Sequence, residues 1–191
     1  SYIDSEELES LSDEALAEVL GPMDGILVPG GFGVRGTEGK IRAVRYARLN
    51  RVPLFGICLG MQMALVEYAR DVCGWTDANS SEFVPESAHP VIQLMASQAE
   101  VTEKGGTMRL GAYPCVLKNG SLAAKLYSRK EHKGRKEKSE SLRLCVKNKD
   151  AQIISERHRH RYELAYDSDG RAALVAAGLQ VSGWSPDGKL V

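Results

Sequence analysis

The sequence predicts an α/β domain with a mostly parallel central sheet and helices on both faces. Two observations carry that reading. Short apolar runs at Gly25-Ile26-Leu27-Val28-Pro29 and at residues 52–57 each end in a glycine-rich turn, and residues 38–50 between them have helical spacing. Strand, helix, strand in that order implies parallel strands, and such sheets gather ligands at their carboxyl ends. The 191 residues, 43% of them hydrophobic, also suffice for one soluble domain with a real core.

Taken in order, residues 1–4 read as the tail of a strand, so that the chain begins mid-fold. Asp4 or Ser5 caps a helix whose first turn carries Glu6, Glu7 and Glu9, charges that suit a helix N-terminus. Leu8, Leu11, Ala15, Leu16, Val19 and Leu20 form its apolar face, and Gly21-Pro22 ends it. The strand at residues 25–29 runs into Gly30-Gly31-Phe32-Gly33, a loop whose backbone can approach a ligand closely because side chains are few. It is not a GxGxxG pattern, and no acidic residue follows at dinucleotide spacing. Ile41, Val44, Tyr46, Ala47 and Leu49 give the 38–50 helix its packing face.

The second strand breaks at Gly56 and becomes a helix from Leu59 to about Val72, with Cys58 at the break in a Gly-x-Cys-x-Gly pattern. A lone cysteine after an apolar run is ordinarily a core thiol. The flanking glycines and the strand-to-helix switch point instead to a nucleophile elbow with sulfur in place of oxygen. A thiol at a helix N-terminus meets unpaired N–H groups and the positive end of the dipole, which favour the thiolate. Gln62 lies one turn on, facing the same mouth. Residues 77–83 form a polar loop in which Glu82 reads as a solvated charge. Strands follow at residues 91–95 and 115–117. Residues 129–149, rich in Lys, Arg, Glu and Ser, read as a basic surface insertion. In Glu156-Arg157-His158-Arg159-His160-Arg161-Tyr162-Glu163 the alternation places histidines on one face of an extended segment and arginines on the other. Two histidines spaced this way, with no third ligand evident, are weak grounds for a metal, and none is expected.

The formal charge of zero argues against general nucleic-acid binding, since no basic excess is available to release counterions. Cys58, Cys73, Cys115 and Cys145 form no CxxC pair and read as reduced thiols of a cytoplasmic protein. No apolar run has membrane-spanning length, and no membrane partner is expected.

With Gly-Ile-Cys-Leu-Gly-Met-Gln following Val-Pro-Gly-Gly-Phe-Gly, the chain resembles the class I glutamine amidotransferases, which are flavodoxin-like α/β domains. Gly105-Gly106-Thr-Met-Arg-Leu-Gly111 and the 156–163 motif narrow the resemblance to the glutaminase domain of the CTP synthase family, from about Asp24 to Val191. The resemblance implies that Cys58 attacks the amide of L-glutamine and releases ammonia through a thioester. It implies an oxyanion hole from the Gly31 and Leu59 N–H groups. Gln62, Glu82, Arg161 and Tyr162 would then hold the glutamine's α-amino and α-carboxylate ends, which recasts Glu82 as a partner for an ammonium. It implies a synthase domain in the same polypeptide that uses ATP and Mg2+, GTP as an activator, a homo-oligomer, and no cofactor within this domain. The family's first strand and helix are expected before Ser1. Its catalytic His and Glu are expected in a His-Pro-Glu motif after Val191, since His89, His132, His158 and His160 do not stand in such a motif. The alternatives are another flavodoxin-like cysteine hydrolase, or a non-catalytic regulatory or assembly fragment.

Overall fold

The computed structural model describes residues 1–94, 109–128, 152–164 and 169–191. The elements run α1 (Ser5–Ser10), α2 (Asp13–Leu20), β1 (Ile26–Val28), α3 (Thr37–Asn50), β2 (Leu54–Gly56), α4 (Leu59–Asp71), β3 (Asn79–Ser80) and β4 (Pro90–Leu94). They continue with β5 (Arg109–Leu117), α5 (Leu122–Ser128), β6 (Gln152–His160), β7 (Tyr162–Leu164), α6 (Asp169–Ala176) and β8 (Gly183–Trp184). The expected 129–149 insertion, Cys145, and the Gly105-Gly106 part of the later motif lie outside the described residues.

The β–α–β unit is as expected. Strands β1 and β2 pair in parallel, Ile26 opposite Leu54 and Val28 opposite Gly56, with α3 as the crossover. Beyond it, the pairing among the described residues is mixed. β3 joins β4 in parallel, but β7 pairs antiparallel with β4, and β5 lies antiparallel between β6 and β8. β5 and β6, two nine-residue strands, pair antiparallel along their whole length, Gly111 opposite His158 and Leu117 opposite Gln152.

The single N-terminal helix expected from apolar spacing is two. Leu11 is extended, with ψ 148°, and the Ser12 side chain accepts from the Ala15 N–H, starting a new helix. A serine hydroxyl that satisfies an orphan N–H competes directly with helix continuation. Leu8, Leu16 and Leu20 still reach one small core with Ala43 of α3. Residues 1–4 form no strand, although Ile3 packs against that core.

The main core is organised by α4. Its Leu59, Met63, Leu65, Val66 and Ala69 pack with Val91 and Ile92 of β4, Leu164 of β7 and Leu174 of α6. Val66, Ala69 and Met63 are fully buried, and side chains of Val or Met size each stabilise by about 1.5–3 kcal/mol when buried. Opposite, α3 meets α4 through charge. Arg48 grips the buried Glu67 carboxylate through Nε at 2.9 Å and Nη2 at 2.7 Å. The same guanidinium reaches Asp71 at 3.0 Å, and Asp71 also pairs with Arg45 at 2.7 Å. Strand β1 is less buried than expected: Val28 is enclosed, whereas Leu27 and its cross-strand partner Phe55 are exposed. No helix among the described residues is long and apolar enough to cross a membrane.

Candidate active site

Cys58 stands between β2 and α4 with φ 55° and ψ −111°, a conformation that L-residues adopt only when their surroundings impose it. The two glycines around it make the turn possible. A Cβ on Gly56 would lie 2.7 Å from the Gly60 carbonyl carbon and the Met61 nitrogen, and one on Gly60 would lie 2.1 Å from the Val28 carbonyl oxygen. The Ile57 N–H donates to the Val28 carbonyl at 2.9 Å, and the Gln62 N–H to the Cys58 carbonyl at 3.1 Å. One bond anchors the turn to β1, and the other starts α4.

The glycine loop after β1 lies over this turn. A Cβ built on Gly30 would sit 3.3 Å from the Cys58 Cβ and 3.9 Å from its Sγ, and one on Gly31 would be 3.4 Å from a Leu59 methyl. Among the described residues neither the Gly31 nor the Leu59 N–H has an acceptor. Two unspent backbone donors beside a nucleophile are the ingredients of an oxyanion hole.

Gln62 is almost fully buried, and its Nε2 donates to the Tyr162 carbonyl at 2.8 Å, joining α4 to a residue a hundred positions away. Glu82 follows β3 and comes under the field of Arg161. Dehydration by its surroundings pushes the Glu82 carboxyl up from its ordinary pKa, and the Arg161 charge opposes that push. Among the described residues the buried Arg161 Nε has no hydrogen-bond partner. The structure thus links the expected residues into local groups: Gly31 with Leu59 beside Cys58, Gln62 with Tyr162, and Glu82 with Arg161.

Two contacts have no counterpart in the sequence reading. The Arg159 guanidinium lies over the Phe32 ring, 5.6 Å from its centroid, and holds β6 against the glycine loop. A basic residue on the exposed face of a strand and an aromatic in a glycine loop gave no sign of meeting. Glu163 is the other: it comes within reach of His158 and His160, supplying the third donor whose absence made a metal unexpected. His89 is committed elsewhere, with Nδ1 2.6 Å from Asp77 and its ring stacked on Trp75. Among the described residues the Cys58 sulfur makes no hydrogen bond.

The model of the class-I glutamine amidotransferase family matches residues 4–191. This chain belongs to that family. It is 55% identical over 189 residues to the CTP synthase of Fibrobacter succinogenes, covering 99% of this chain and 29% of the relative. It is 52% identical to the CTP synthase of Geobacter sulfurreducens over its full length, 31% of that relative. The chain therefore spans about three-tenths of the curated relatives it matches. The glutaminase domain of the Trypanosoma brucei CTP synthase, solved with bound acivicin, superposes with a TM-score of 0.76 at 40% identity, over 97% of this chain and 61% of that chain. The flavodoxin-like α/β fold follows from that likeness.

Proposed function

We propose that this chain is the glutaminase part of a CTP synthase. The observation that carries the reading is Cys58 held at positive φ between two glycines, with unspent N–H groups of Gly31 and Leu59 beside it. Glu82 and the Arg161-Tyr162 corner bind the glutamine's α-ammonium and α-carboxylate, and Gln62 fixes that corner through the Tyr162 carbonyl. The Cys58 thiolate attacks the side-chain amide carbon, and the Gly31 and Leu59 N–H groups hold the developing oxyanion. As the carbonyl re-forms, the C–N bond breaks and the nitrogen takes a proton to leave as ammonia. Water then cleaves the γ-glutamyl thioester, giving glutamate and the free thiol. A His-Glu pair of the kind the resemblance implies would carry those protons.

The ammonia passes to a synthase domain of the same polypeptide, which uses ATP and Mg2+ to aminate UTP to CTP. Activation by GTP, assembly as a homo-oligomer and a cytoplasmic location belong to the same proposal. The test is an acid quench of the intact polypeptide during glutamine turnover, followed by peptide mass analysis. One glutamyl group is expected on Cys58. Undiminished glutamine hydrolysis by Cys58→Ser would overturn the reading.

A further inference from the structure

Beside the proposed glutamine site lies a second cluster of donors that no step above uses. We propose that His158, His160 and Glu163 form a site for a divalent transition-metal ion, with zinc as the best-fitting candidate. The three residues offer one ligand atom each, all within 4.8 Å of one another. Strand geometry explains two of them. His158 and His160 are two apart on β6, so the pleat turns both imidazoles to one face, where they are half-buried, while Arg157 and Arg159 alternate to the exposed side.

The third donor arrives because the chain turns at Arg161, between the end of β6 and the start of β7, and brings back the buried Glu163. Gly111 pairs with His158 across the ladder and contributes no side chain, and among the described residues a Cβ built there meets nothing within 4 Å. The two imidazoles are not stacked: their planes stand at 67° with centroids 5.5 Å apart, so their nitrogens can converge.

Two imidazoles and one carboxylate are a known donor set for zinc, leaving a position for water. Imidazole donors favour zinc, copper or nickel over the oxygen-seeking magnesium and calcium. Zinc–ligand distances of about 2.0–2.2 Å require donor atoms closer together than 4.8 Å, and rotation of the imidazoles about their broad terminal torsion supplies that closure. A bound ion would tie β6 to β7 across Arg161 and Tyr162. Its effect on glutamine binding rests on the proposed function, whereas the metal site itself rests only on this geometry.

The test is calorimetric titration of the intact, chelator-stripped polypeptide with zinc chloride, beside His158→Ala, His160→Asn, Glu163→Gln and His89→Ala. One saturable equivalent is expected. Each change within the cluster should weaken it by more than the roughly 10–100-fold that loss of a supporting outer-shell partner costs. His89→Ala should bind as wild type, since that imidazole is paired with Asp77. Far-UV circular dichroism certifies each fold, and His160→Asn carries the test where the buried Glu163 change unfolds the chain. Cobalt substitution gives a second readout: a visible spectrum without a sulfur-to-metal band, lost in the histidine variants. Wild-type affinity in folded histidine variants, or no saturable equivalent in the wild type, would overturn the proposal. A metal site found together with a failed thioester test would sink the glutaminase reading and leave this one standing.

Discussion

Cys58 combines a strand-to-helix turn, a backbone held at positive φ and neighbouring unspent N–H groups, and these separate it from the other described thiols. Burial pushes the Cys73 thiol up, so less of it is thiolate at neutral pH. Cys115 is half-buried like Cys58, but lies within β5 rather than at a helix N-terminus. A glutamine-like electrophile is therefore expected to label Cys58 first and alone, as read by peptide mapping; equal labelling of Cys115 would refute this. Glycine substitutions separate catalysis from folding. Ala at 56 or 60 meets backbone atoms at 2.8 Å or less and is expected to unfold the turn. Gly31 is not among the positive-φ residues, and among the described residues a methyl there meets only the Leu59 side chain, so Gly31→Ala should fold. If Gly31 is the proposed oxyanion donor, its displacement should lower glutamine-dependent activity by about 10²–10³-fold. A matching fall in melting temperature would assign the loss to folding instead. Glu82 gives a pH test. Its folded pKa is raised, so the stability linked to its proton is present at low pH and lost as pH rises through that raised value. Removing the charge with Glu82→Gln should therefore leave melting at pH 7 level or higher. It should raise the KM for glutamine, where loss of a bond to a charged group costs roughly 1.5–3 kcal/mol. In the wild type, that KM should climb as pH falls through the raised Glu82 value. An unchanged KM in Glu82→Gln returns the residue to a solvated loop charge.

At the scale of elements, α3 and α4 are held together by an ion-pair network whose members are unequal. The Glu67 side chain is 1% exposed and depends on Arg48, and that hydrogen bond in turn keeps the Arg48 guanidinium more firmly protonated. Arg48→Ala strands a buried carboxylate and is expected to destabilise by about 3–5 kcal/mol in urea titration. Arg45→Ala, at a pair open to water, should cost under about 1 kcal/mol. Replacing both Arg48 and Glu67 with Met and Leu should recover most of the loss; failure to recover would mean that the pair does more than satisfy itself. The sequence showed the two helices but not this dependence. Glu67 sits among Leu65, Val66 and Tyr68 with nothing local to mark it as buried. Elsewhere the local signals were sound where capping and turn chemistry decided the outcome, as at Gly56-Ile57-Cys58. They misled at Ser12, whose hydroxyl outweighed a continuous apolar pattern.

Across the whole molecule, the β–α–β unit, the elbow and the alternating histidine strand were legible, because each is written within a dozen neighbouring residues. The mixed sheet and the meeting of Glu82 with Arg161 were not, since they depend on β7 returning antiparallel to β4. The resemblance named Glu82 and Arg161 together, and only the fold supplies the electrostatic coupling between them. Likewise Glu163 reaches the histidines only after the chain turns at Arg161. The account's central claim is that Cys58 delivers nitrogen from glutamine to a synthesis that can also take ammonia directly. The direct measurement is CTP formation by intact Cys58→Ala polypeptide, assayed on one preparation with glutamine and with ammonium chloride. The expected result is loss of CTP from glutamine with ammonia-dependent synthesis near wild type. Persistence of glutamine-supported CTP formation in that variant would contradict the account.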